Sequence, residues 1–157
     1  MIPRRSLVLL PALIAPLALL RCGPPPPKPP PVLTITMVGS KDQNPDTDGT
    51  AKPVAVRIYQ LTATAKFERG DVFALTEHEQ QTLGQDDVGS QEFLLAPGET
   101  QTQTFGLKNG VNAIGVVVLY RDIDNSKWRA DAPAADSGPT KLLLNVGKLA
   151  ITLKPAT

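Results

Sequence analysis

The 157 residues carry 16 basic and 15 acidic side chains, a formal net charge of +1, so the chain has no basic field with which to hold nucleic acid. Its single cysteine excludes an internal disulfide, and no repeat of 20 to 50 residues runs through it. Roughly 125 residues follow a proline tract near the front, enough for one domain with a real core and too few for two.

Arg4 and Arg5 open the chain, and an apolar run follows from Leu7 to Leu20, interrupted by Pro11 and Pro16. A helix crossing the hydrocarbon core needs roughly 20 apolar residues, so this run is too short for a stable span and reads as an export signal over residues 1–21. Cys22 stands at its end. That placement resembles the lipobox of bacterial lipoproteins, in which the thiol is acylated and becomes the first residue of the mature protein. Leu19 and Leu20 suit the positions before the cysteine, whereas Arg21 departs from the Gly, Ala or Ser of that pattern. The alternatives are an unmodified cysteine in a soluble secreted protein, or a signal left uncut. Gly23 stands where an Asp would resemble an inner-membrane retention signal, which by analogy favours the outer membrane. Beyond Cys22 there are 13 basic and 15 acidic residues, a slightly acidic mature protein. Pro24 to Pro31 is proline except for Lys28. Such a tract adopts polyproline II at about 3.1 Å per residue, so residues 22–31 form an anchor and a spacer of roughly 25 Å.

The domain then occupies residues 32–157. Val32 to Val38 is rich in β-branched residues and predicts a first strand, ended by Gly39. Ser40 to Lys52 has no apolar period and is full of Asp, Asn, Pro and Gly, which predicts an exposed loop. Loops of that length inside a compact domain are often functional. From Pro53 to Leu61, Val54, Val56 and Ile58 point one way and Ala55, Arg57 and Tyr59 the other, a half-buried strand. Phe67 to Leu83 changes period and predicts a short helix, with Asp71 as N-cap and Gly84 as stop. Glu92 to Leu95 and Glu99 to Leu107 predict strands joined by a turn at Pro97-Gly98. Ile114 to Tyr120 is apolar on both faces, which only a central strand covered on both sides satisfies. Lys127 to Arg129 predicts a short strand whose Trp128 covers an edge of the core, and Ala130 to Pro139 a loop. Leu142, Leu144 and Val146, then Leu149, Ile151 and Leu153, alternate at period two; Asn145 to Lys148 is either a hairpin or a bulge. Seven or eight short strands with one helical insertion predict a two-sheet β-sandwich.

Little in the chain suggests chemistry. His78 is the only histidine and sits among Glu77, Glu79, Gln80 and Gln81, a solvated surface. No serine lies on a nucleophile-elbow pattern, and the carboxylates are scattered without a selected pair. No enzyme, no cofactor and no metal centre is expected. Asn44, Asp46, Asp48 and Gly49 have the spacing that opens a calcium loop, but the twelfth position is Ala55 where the bidentate Glu belongs. A periplasmic module binding a small ligand or calcium is therefore the alternative reading. A sandwich carrying a long polar loop suits protein recognition, and Arg57, Tyr59, Arg121 and Trp128 are interface-prone residue types.

Several segments in order carry a family resemblance: Val56 to Leu61 (VRIYQL), Phe67 to Leu75 (FERGDVFAL), Leu95 to Glu99 (LAPGE), Ile114 to Asp122 (IGVVVLYRD) and Trp128-Arg129. Following a lipoprotein-type leader, this set resembles TssJ, the outer-membrane lipoprotein family of the bacterial type VI secretion system. The resemblance implies a transthyretin-like sandwich held on the periplasmic face of the outer membrane. It also implies a partner, the periplasmic C-terminal part of the inner-membrane protein TssM. In that family the loop between the first two strands is implicated in the contact. Here that region is Lys41, Asp42, Gln43, Asn44, Pro45, Asp46, Thr47 and Asp48.

Overall fold

A computed structural model describes residues 25–156; the leader over residues 1–21 and Cys22 lie outside the described residues. Among the described residues there are eight strands, three short α-helices and a single 3-10 turn at Gly84–Asp86. In chain order the strands and α-helices are β1 (Val32–Gly39), β2 (Val54–Leu61), α1 (Ala65–Arg69), α2 (Val72–Thr76), α3 (Glu79–Leu83), β3 (Asp87–Leu95), β4 (Thr100–Gly106), β5 (Ala113–Leu119), β6 (Arg129–Pro133), β7 (Pro139–Val146) and β8 (Ile151–Pro155). Two four-stranded sheets face each other, one in the order β4-β1-β7-β8 and the other β3-β2-β5-β6. Strands β1 and β7 pair in parallel, with Ile35 opposite Leu142, and the remaining neighbours are antiparallel. This is the predicted mainly β, two-sheet sandwich.

Alternation dictates which sheet face turns inward. Leu33, Ile35 and Met37 of β1 and Leu142, Leu144 and Val146 of β7 meet Val54, Val56 and Ile58 of β2 and Val116 and Val118 of β5 in one buried cluster. Removing side chains of this size from water contributes about 1.5–3 kcal/mol each. On the other side of β2 and β5, Tyr59, Leu61 and Val117 form a second cluster with Phe67, Leu75 and Leu83 from the helices. Strand β5 is thus covered on both faces, as its composition requires. Gly115 makes this possible, because a Cβ there would stand 2.8 Å from the Phe67 ring.

The helical stretch departs from the single helix predicted. Gly70 is extended (φ −64°, ψ 140°), and Asp71 restarts the chain by accepting the Ala74 N–H at 2.8 Å. The chain breaks again at His78, and Gly84 ends the series with φ +57°. Three one-turn pieces place Phe67, Leu75 and Leu83 on one buried surface that a straight helix would not follow. Tyr59 and Arg57, suggested as interface residues by type, belong to this layer instead. The Tyr59 hydroxyl donates to the Leu75 carbonyl at 2.9 Å, and its ring lies 5.4 Å from that of Phe67. The Arg57 guanidinium donates to Glu79 at 3.2 Å, to Glu92 at 2.9 Å and to the Thr76 carbonyl at 2.9 Å, clamping helices onto sheet.

Two strand boundaries also moved. Strand β3 begins at Asp87, not Glu92, because its polar first half pairs with Tyr59, Gln60 and Leu61 across a register shift. The segment Arg129–Pro133, expected mostly as loop, is edge strand β6; it forms because β5 offers a free edge, whatever its own weak propensity. The undecided Asn145–Lys148 segment is part of a hairpin joining β7 to β8, with Gly147 N–H donating to Ala150 at 2.9 Å.

Under the helices, burial and the neighbouring Glu79 carboxylate push Asp87 up to about 6. The folded chain therefore holds a proton there at pH values where the unfolded chain, near 3.8, has released it. This contribution to stability grows as pH falls below about 6 and is lost as pH rises through that value. Asp87→Asn removes it. In paired thermal melts the variant should gain most over the native chain at pH 7.5, keep about half of that advantage at pH 5 and lose most of it near pH 4.

Candidate recognition loop

The connection from β1 to β2 divides into inward and outward residues, a distinction its composition conceals. Gly39 closes β1 and has no Cβ, which leaves the space taken by the side chain of Gln43. Gln43 is fully buried, and its Nε2 donates to the Leu95 carbonyl at 2.8 Å and to Lys52 at 3.4 Å. Asn44 is 3% exposed and adopts φ +46°, a left-handed conformation that asparagine tolerates better than most residues. Its Nδ2 donates to the Pro53 carbonyl at 2.8 Å, while its Oδ1 accepts the Arg121 N–H at 2.8 Å. Its own N–H donates to Lys148 at 3.0 Å.

Expected as an exposed contact region, the loop therefore presents neither Gln43 nor Asn44 to a partner. Their amides replace the backbone partners that a buried irregular segment would otherwise lack. Sequence composition missed this because Asn and Gln are mostly exposed residues and their types alone do not reveal an internal brace.

Beyond Asn44 the chain forms a tight turn. Asp46 N–H donates to Thr50 at 2.8 Å, Gly49 takes φ +82°, and the Asp48 carboxylate accepts the Thr50 N–H at 2.8 Å. That last bond holds Asp48 below the usual carboxylate range. Asp46 pairs with Arg121 at 3.1 Å and Lys52 at 3.8 Å. The calcium-like string is thus occupied by internal partners: Asn44 by Arg121 and Pro53, Asp46 by two cations, Asp48 by its own turn. Among the described residues no group of three or more His, Cys, Asp or Glu is placed to hold a metal ion. Lys41, Asp42, Thr47 and Asp48 are exposed, and Pro45 and Asp46 half-buried. Pro45, Asp46 and Thr47 wall a cleft of about 390 Å³ closed by Arg121, Asp122 and Leu149. His78 is exposed at the start of α3.

Arg121, singled out by type alone, is the hinge of this arrangement. It joins the loop to the end of β5 through its backbone to Asn44 and through its guanidinium to Asp46. Trp128 is half-buried against both apolar clusters, with the Arg129 guanidinium 4.9 Å from its ring, and so acts mainly in packing. Asn44→Ala strands the Arg121 N–H and puts a less tolerant residue at positive φ. Chemical denaturation should show a loss of about 1–3 kcal/mol, and hydrogen exchange should accelerate at the Arg121 amide.

A family model for type VI secretion lipoproteins (VasD, EvfM, TssJ) matches residues 31–149. The fold matches the crystal structure of the type VI lipoprotein TssJ1 from Pseudomonas aeruginosa with TM-score 0.79 and 34% identity, covering 82% of this chain and 98% of that one. It matches Serratia marcescens Lip, a membrane-bound component of the type VI secretion system, with TM-score 0.74 and 20% identity over 82% and 99% of the two chains. A chain from a type VI membrane complex gives TM-score 0.72 and 25% identity over 80% and 98%. No curated protein sequence matches significantly. By sequence and by fold, the chain belongs to the type VI secretion lipoprotein family that includes TssJ.

Proposed function

We propose that this protein is a lipid-anchored, non-enzymatic adaptor of the type VI secretion membrane complex. Acylated at Cys22, it hangs from the periplasmic face of the outer membrane and binds the periplasmic domain of the inner-membrane protein TssM through the loop between β1 and β2. In this reading Lys41, Asp42, Thr47 and Asp48 make the contact, Pro45 and Asp46 shape the cleft beside them, and Gln43 and Asn44 hold the loop in its binding form.

The observation that carries this reading is the polarity of the domain. The spacer runs down onto one end of the sandwich, where Gly138 N–H donates to Pro29 at 3.1 Å and Leu107 N–H to Pro31 at 3.0 Å. The loop leaves the other end of β1, eight residues further on. At about 3.3 Å per residue that is roughly 26 Å. An anchor at one pole thus supports a recognition loop directed away from the membrane. Bracing adds to this, since a loop already held in its bound shape loses little freedom on binding.

Two experiments test the two halves separately. Cys22→Ser should move the protein from the outer-membrane fraction to the soluble periplasm, with metabolic palmitate labelling lost; unchanged fractionation rejects the anchor. A combined K41E/D42K/T47W/D48K variant leaves the Gln43 and Asn44 braces in place. It should keep the native melting temperature and lose capture of the TssM periplasmic domain, whereas retained capture rejects the loop assignment.

A further inference from the structure

Phe73 and Leu94 are the large apolar side chains left most exposed among the described residues, at 63% and 65%. Leu94 lies on edge strand β3, where scattered apolar exposure is ordinary. Phe73 is differently placed. It stands on α2 as a ridge between two hollows. One, of about 310 Å³, runs from Phe73 and Thr76 to Tyr120 and Arg121. The other, of about 430 Å³, runs from Phe73 to Ile123, Ser126 and Trp128. Ile123 and Val72 line both.

This apolar ground is continuous with the loop pole. Arg121 walls both the hollow beside Phe73 and the cleft beside Asp46, and it is bonded to the loop by backbone and side chain. Carboxylates rim the ridge: Asp71 and Glu77 at the two ends of α2, and Asp122 and Asp124 on the turn after β5 are all exposed. Arg121 is already paired with Asp46, and Lys127 and Arg129 stand on the Ser126 and Trp128 side, so the rim is acidic along α2 and the Asp122–Asp124 turn.

We propose that partner recognition does not stop at the loop: the loop, Arg121 and the Phe73 ridge form one docking surface. Its occupant is a segment of the same periplasmic partner that carries an apolar side chain flanked by lysine or arginine. The apolar group seats in a hollow beside Phe73, and the flanking cations meet the carboxylate rim. Central aromatic residues surrounded by a polar rim are where binding energy concentrates. The acidic rim disfavours an anionic bilayer as the alternative occupant. This inference rests on the adaptor reading above, and its test separates the two.

The detergent-solubilised full chain is titrated with the partner's periplasmic domain, comparing Phe73→Ala, Asp124→Lys, Leu94→Ala and the four-residue loop variant. Phe73→Ala should raise Kd by about tenfold or more with an unchanged melting temperature. Asp124→Lys, an exposed change that leaves the ridge intact, should weaken binding most at low salt, while Leu94→Ala should leave Kd within about twofold. If the loop variant fails to bind while Phe73→Ala and Asp124→Lys bind like the native chain, the ridge is excluded and the adaptor reading stands. If Phe73→Ala weakens binding and the loop variant does not, the ridge holds and the loop assignment falls. Absence of binding by the native chain overturns both. A Phe73→Ala effect confined to self-association in sedimentation, or to adsorption on anionic vesicles, also overturns the proposal.

Discussion

The structure depends on a sheet that must be dry on both faces. Strand β5 is buried from Ala113 to Val118, so its sheet needs two covers rather than one. The opposing sheet supplies the first. The second comes from residues 65–83, whose short helices lay Phe67, Leu75 and Leu83 on Tyr59 and Val117. Polar groups then hold the cover in place. The Tyr59 hydroxyl and the Arg57 guanidinium reach up to helical carbonyls, and Arg129 donates to the carbonyls of Phe67 at 2.8 Å and Gly70 at 2.6 Å at the end of α1. A cation at a helix C-terminus satisfies otherwise unpaired carbonyls and suits the helix dipole.

That covered sheet also fixes what the molecule offers at its surface. Because α2 is pinned by Leu75 below, Phe73 is turned outward, beside the end of β5. The same end of β5 provides Arg121, which ties down the loop between β1 and β2. Loop, turn and helix are therefore parts of one braced end, and the connection from Lys127 to Leu149 and Ile151 laces it to the other sheet. The opposite end receives the proline spacer. A braced loop end and a spacer end at opposite poles are the arrangement that the adaptor reading proposed above calls for.

The loop shows how a polar segment can be both structural and available. Its inner amides, Gln43 and Asn44, serve the backbone; its outer residues, Asp42, Thr47 and Asp48, meet solvent. Burying an amide is costly unless its donors and acceptors are met: the Pro53 and Arg121 backbone groups meet both ends of Asn44, and Leu95 meets the Gln43 donor, while Gln43 Oε1 has no partner among the described residues. Such bracing restricts which changes the loop accepts, since an altered tip leaves the braces alone and an altered brace moves the tip.

By itself the sequence determined the class of fold, the covered central strand, the Asp71 cap, the Gly84 stop and the position of the long loop. All follow from local signals: period-two alternation, an apolar run too uniform for a half-exposed strand, and residues with narrow backbone preferences. It also carried, in five short segments taken in order, the resemblance that the family match bears out. Tertiary structure alone decided the rest. Whether Tyr59 and Arg57 would face solvent or helices depended on where residues 65–83 folded back. Whether Gln43 and Asn44 would be contacts or braces depended on the ends of β3 and β5 arriving beside them. The edge strand from Arg129 to Pro133 exists because β5 had an unpaired side, a fact its own Ala, Asp and Pro residues do not encode. A side chain's type states what partners it can accept, and only the packed chain settles which of them come within reach.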